Sequence, residues 1–109
     1  MNDLMMQELD KLIQSKDIVL FMKGNAAFPQ CGFSAVVVGI LKKYNLQFTS
    51  INILEDQELR QGVKEYSDWP TFPQLYIKQE FIGGCDIVKE LESSGELREL
   101  LVKHNLIAE

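Results

Sequence analysis

The chain has 109 residues, with hydrophobic residues at 46% and charged residues at 25%, values that fit one globular domain spanning 1–109 and exclude a disordered chain. Sixteen acidic against eleven basic residues give a formal charge of -5, which disfavours non-specific binding to nucleic acid or anionic lipid. No apolar run approaches the roughly 20 residues that a membrane span needs, and the first residues lack the basic and apolar pattern of an export signal.

In chain order, Leu4, Met5, Leu9, Leu12 and Ile13 recur at helical spacing and predict a helix over 3–13, capped near Asp3. The continuous run Ile18-Val19-Leu20-Phe21-Met22 is too short for a helix and reads as a strand buried on both faces. Glycine and proline mark 23–30 as a loop, and Lys23 stands at the strand end. Residues 32–44 are ambiguous by propensity, because Val36-Val37-Val38 favours a strand. Their length and the terminal Lys42-Lys43 predict a mostly buried helix instead. A second strand is expected over 48–53. Asp56 should cap a third helix whose inner stripe is Leu59, Val63 and Tyr66, with Arg60 toward the edge of that stripe.

Two prolines three apart exclude a helix in Trp69-Pro70-Thr71-Phe72-Pro73. A strand over 74–77, a turn over 78–80 and a partner strand over 81–82 follow, then Gly83-Gly84. A helix over 87–91 is expected after Cys85, with Asp86 as its cap, and Ser93-Ser94-Gly95 separates it from a last helix carrying Leu97, Leu100, Leu101 and Val102. The order predicts an α/β fold with a four-stranded mixed sheet: a parallel crossover joins the first two strands and a hairpin joins the last two.

The chemistry-bearing stretch is Phe28-Pro29-Gln30-Cys31-Gly32-Phe33-Ser34. Cys31 stands where a strand hands over to a helix, and unpaired amides and the helix dipole at such a terminus favour a thiolate. A free cysteine is as often a small buried hydrophobe, so the local chemistry leaves both readings open. Cys31 and Cys85 could form one disulfide, but a secreted domain of this size usually carries more, and both read as thiols in a reducing compartment. Ser34 stands where a dithiol enzyme keeps its resolving cysteine, and a hydroxyl cannot attack a disulfide. His104, the single histidine, is far in sequence from Cys31 and receives no catalytic role.

Lys23-Gly24, Cys31-Gly32-Phe33-Ser34, Trp69-Pro70-Thr71-Phe72-Pro73-Gln74 and Gly83-Gly84-Cys85-Asp86, in this order, resemble the monothiol glutaredoxins over essentially the whole chain. The resemblance implies a thioredoxin-like fold, glutathione binding and carriage of a 2Fe–2S cluster to apoproteins in iron–sulfur biogenesis and iron homeostasis. It implies at most a weak glutathione-dependent thiol–disulfide oxidoreductase as the alternative, with electron-transfer chemistry and a cytoplasmic setting.

By position, Cys31 would be the glutathione-reactive thiol and the metal ligand. Lys23 and Arg60 would meet the glycine carboxylate of glutathione, Phe72 beside a cis Pro73 would pair its backbone with the tripeptide, and Cys85 and Asp86 would hold its γ-glutamyl end. A four-ligand cluster would then be shared by two chains, each giving Cys31 and one glutathione, so that the holo form is a homodimer. Expected partners are glutathione, apo iron–sulfur proteins and a BolA-like protein, with no nucleic acid and no membrane. The chain departs from the usual pattern at Asn25-Ala26-Ala27, where the family has threonine and often proline.

Overall fold

Strand β1 (Ile18–Met22) is the axis of the molecule, and all five of its residues are buried. Its alternation serves two cores at once. Ile18, Leu20 and Met22 join Val37, Val38, Leu41, Val88, Leu97 and Leu101 on one face of the sheet, while Val19 and Phe21 join Leu9, Ile13, Leu59, Val63 and Tyr76 on the other. A strand clad on both faces needs no polar alternation, hence its unbroken apolar run. The computed structural model describes residues 2–109.

The elements are α1 (Asp3–Gln14), β1, α2 (Gly32–Lys43), β2 (Thr49–Asn52), α3 (Gln57–Ser67), β3 (Gln74–Ile77), β4 (Glu80–Gly83), α4 (Cys85–Ser94) and α5 (Glu96–Lys103), with one 3-10 turn at Ile53–Glu55. The sheet order is β2-β1-β3-β4. β1 runs parallel to β2 and antiparallel to β3, and β3 and β4 form an antiparallel hairpin. The expected four-stranded mixed sheet flanked by helices is the observed architecture. α2, α4 and α5 cover one face and α1 and α3 the other.

The local differences have local causes. Asn2, one residue earlier than expected, caps α1, its Oδ1 accepting from the Met5 amide at 2.7 Å. β2 stops at Asn52 because that side chain accepts the Leu54 amide and turns the chain into the 3-10 segment. α4 starts at Cys85 with Gly84 in the capping position, so Asp86 lies in the first turn and is not the cap. Asp56 caps α3 as expected, accepting from Leu59 N–H at 3.1 Å. Tyr66 is only half-buried on its stripe, since its hydroxyl reaches out to donate to Asp10 at 2.6 Å.

Candidate functional site

Cys31 occupies the capping position of α2 with an extended backbone (φ -151, ψ 136), half-exposed, on the wall of a cavity of about 400 Å³. Lys23 from the end of β1, Phe72 from the turn before β3, and Cys85 and Asp86 from the start of α4 line the same cavity. Five of the seven expected site residues therefore meet, although they come from four separate places in the chain. Pro73 adjoins the cavity rather than lining it. Its peptide bond with Phe72 is cis, and its carbonyl lies so near Gly84 that a Cβ there would stand 3.2 Å away. Arg60, half-buried on α3, is not among the lining residues.

The loop that delivers Lys23 and Cys31 is closed on itself. Gly24 bridges to Pro29, and the Gln30 amide donates to the Lys23 carbonyl at 2.9 Å. Asn25 Oδ1 accepts the amides of Ala27 at 3.0 Å and Phe28 at 2.8 Å, a side-chain turn that holds the stretch where the sequence departs from the family pattern. Gly24 has φ +86, and a Cβ there would stand 2.5 Å from the Phe28 carbonyl, so only glycine fits. Fastened this way, the loop leaves Phe28 and Phe33 exposed beside Cys31, at 72% and 62%.

The two thiols lie in different electrostatic settings. The Cys31 thiol is held below its ordinary value, first by the backbone amide of Ser34; partial burial opposes this, and the Phe33 amide and the Lys23 charge add to the lowering. Its side chain forms no hydrogen bond as a neutral cap, so these amides act on the charge of the thiolate. Cys85 is pushed up, chiefly by burial, with Asp86 and Cys31 adding to the shift and Lys89 opposing it. An accessible thiol shifted toward its thiolate and a buried thiol shifted away from it thus line the same cavity. Among the described residues no group of three or more His, Cys, Asp or Glu side chains could hold a metal ion.

Several contributors escaped the sequence reading. Ser34, expected only to stand in for a resolving cysteine, is fully buried, and its Oγ accepts the Lys23 amide at 3.2 Å. Gln74 is also fully buried and donates from Nε2 to the carbonyls of Trp69 and Thr71, both at 3.1 Å, which shapes the turn carrying Phe72. Trp69 lines the cavity along with Phe33, Thr71 and Ile87. A glutamine directly after Pro73 at the head of an apolar strand was the available signal for Gln74, since a polar residue opening a buried strand must find partners. Nothing in sequence marks which face of α2 leaves Phe33 in solvent.

Comparison with known proteins shows what the whole chain is similar to. The family model Glutaredoxin matches residues 18–82. A chloroplastic monothiol glutaredoxin of Arabidopsis thaliana is 60% identical over 95 residues, covering 87% of this chain and 55% of the relative. A probable monothiol glutaredoxin of Rickettsia typhi is 54% identical over 93 residues, covering 85% of this chain and 84% of the relative. The chain thus spans about half the length of the plant relative and most of the bacterial one. Among solved structures, reduced apo GrxS14 of poplar superposes with a TM-score of 0.80 at 61% identity, covering 90% of each chain. The buckwheat glutaredoxin–glutathione complex, at 23% identity, shares the fold, with a TM-score of 0.83 over 96% of this chain and 94% of that one.

Proposed function

The chain belongs to the glutaredoxin family, among its monothiol members, and on that premise we propose that it binds glutathione and carries a 2Fe–2S cluster for delivery to apo iron–sulfur proteins. The observation that carries the reading is the single accessible, lowered thiol at Cys31, paired with a Ser34 hydroxyl that is buried and already engaged. A chain built this way offers one sulfur ligand where a cluster needs four. Two chains, each with Cys31 and one glutathione, complete the set, so the loaded form is a homodimer. Half of the ligands are then exchangeable small molecules, which suits a cargo that must leave.

Glutathione brings two carboxylates to an acidic chain, and the cavity offers local positive ends. Lys23 is a cation on its wall, and Arg60 on α3, outside that lining, is assigned to the glycine carboxylate from the family pattern alone. At α4 the capping residue is Gly84 and no side chain occupies the first amides, so the dipole end is available to the γ-glutamyl carboxylate beside Cys85 and Asp86. Phe72, on the cavity wall, is assigned to backbone pairing with the tripeptide. The buckwheat protein of the same fold, solved as a glutathione complex, supports this use of the cleft. A BolA-like protein is a proposed further partner. The cytoplasm is the proposed setting, although relatives are described as chloroplastic or mitochondrial.

The lowered thiol also favours a second reading, glutathione-dependent exchange. Cys31 thiolate would attack the glutathione sulfur of a mixed disulfide, forming Cys31–glutathione and releasing the substrate thiolate. A second glutathione would then attack that bond, yielding oxidised glutathione and free Cys31 thiolate.

Anaerobic reconstitution with iron and sulfide, with and without glutathione, followed by gel filtration monitored in the visible, tests the first reading. A coloured dimer that requires glutathione or another small thiol is expected, lost in Cys31→Ser and kept in Cys85→Ser. A coloured monomer, or colour that survives Cys31→Ser but not Cys85→Ser, overturns the ligand assignment.

A further inference from the structure

Parallel pairing of β1 with β2 ends at the rung Met22–Asn52, one residue before Lys23. Beyond it the two chains part: β1 continues through Lys23 and Gly24 to the cavity, and β2 turns away into Ile53–Glu55. One oxygen ties both. Asn52 Oδ1 accepts the Gly24 amide at 3.0 Å and the Leu54 amide at 3.0 Å, while its Nδ2 donates to Glu55 at 3.4 Å. With Ser34 Oγ on the Lys23 amide and Gln30 N–H on the Lys23 carbonyl, the backbone that carries Lys23 is fixed on both sides.

We propose that Asn52 is a positioning residue for glutathione, holding the Gly24 amide so that the Lys23 ammonium is aimed into the Cys31 cavity. The inference rests on the reading of Lys23 as a partner of glutathione. Asn52 itself does not line the cavity. A lysine side chain has many rotamers, and its reach is reproducible only from a fixed backbone origin. Gly24 adds no side chain of its own to steady this stretch, and its φ of +86 with Phe28 and Gln30 packed where a Cβ would stand excludes a larger residue there. An acceptor oxygen able to take two amides is therefore what the position requires; an Asp keeps that oxygen but loses the N–H donated to Glu55 and sets a second carboxylate against it.

The experiment uses the whole chain and reduced glutathione as the probe, read by the emission of Trp69, the single tryptophan, which lines the cavity. Asn52→Ala should weaken glutathione binding roughly three- to tenfold, the fold-change of one lost neutral hydrogen bond, and Asn52→Asp combined with Glu55→Gln, which removes the facing carboxylate, should restore it. In a Lys23→Ala background, which is itself weakened, Asn52→Ala should add nothing, because the residue acts through Lys23. If Asn52→Ala does not fold, Asn52→Gln, one methylene too long to meet Gly24, replaces it with the same expectations. Additive losses in the Lys23→Ala, Asn52→Ala double variant, or an Asn52→Asp, Glu55→Gln variant as weak as Asn52→Ala, overturn the inference. Parent-like binding by Lys23→Ala overturns the underlying reading of Lys23, and the inference falls with it.

Discussion

Cys31 and Cys85 each stand at the N-terminus of a helix, each line the same cavity, and yet shift in opposite directions. The difference lies in one position along the helix and in what surrounds it. Cys31 is the capping residue of α2, outside the first turn, where its sulfur meets the Ser34 and Phe33 amides from the solvent side. Cys85 is already inside α4 and packs with Val88 and Leu97 in the core of that face, 9% exposed. Desolvation penalises a thiolate more than a dipole end rewards it when no amide points at the sulfur. A helix terminus is therefore not enough to activate a cysteine; the sulfur must reach the amides and remain hydrated.

The largest effect should be in reactivity. At neutral pH, alkylation with peptide mapping should label Cys31 at least about tenfold faster than Cys85, since thiolate fraction and access act together. The ratio should collapse toward one in denaturant, and equal rates in the folded protein would break the comparison. A smaller effect sharpens it. Lys23 is the last of the causes that lower Cys31, so Lys23→Ala should slow Cys31 alkylation by only roughly two- to fivefold, as for a partly exposed charge pair, and leave Cys85 unchanged. A loss comparable to unfolding would show that the lysine, not the amides, sets the thiolate.

The smallest effect is in stability against pH. A thiol lowered by folding, as Cys31 is, contributes stability that is present above its unfolded pKa and lost as pH falls through the folded one. Cys85, raised by folding, contributes stability that is present below its unfolded pKa and lost as pH rises through the folded one. Between about pH 7 and pH 10 the Tm of Cys31→Ser should therefore fall relative to the parent, and that of Cys85→Ser should rise, each by about a degree or two. Parallel profiles for the two variants would mean that the two thiols do not differ in the fold.

Much of this was legible in the residues. The unbroken apolar run of β1, the prolines around Phe72 and the length of the 32–44 segment were enough for the element order and the mixed sheet, because hydrophobic periodicity and backbone chemistry are local properties. The same holds for Cys31 at a strand-to-helix corner and for Asp56 as a cap. Asp86 was misread as a cap because Gly84 takes that position without a side chain, and a glycine leaves no polar signature in sequence.

What only the tertiary structure decided concerns residues whose partners are distant in the chain. Ser34 reads as an absent thiol until its hydroxyl is seen on the Lys23 amide. Asn52 reads as the end of a strand until its oxygen is seen on Gly24, twenty-eight positions away. Arg60 carries the right charge, yet the fold leaves it off the cavity wall that Lys23 joins. The sequence determined which groups are available, since residue type sets donor, acceptor and charge. Their convergence depends on sheet register and helix packing, which are set by the sum of many contacts, and no short stretch encodes it.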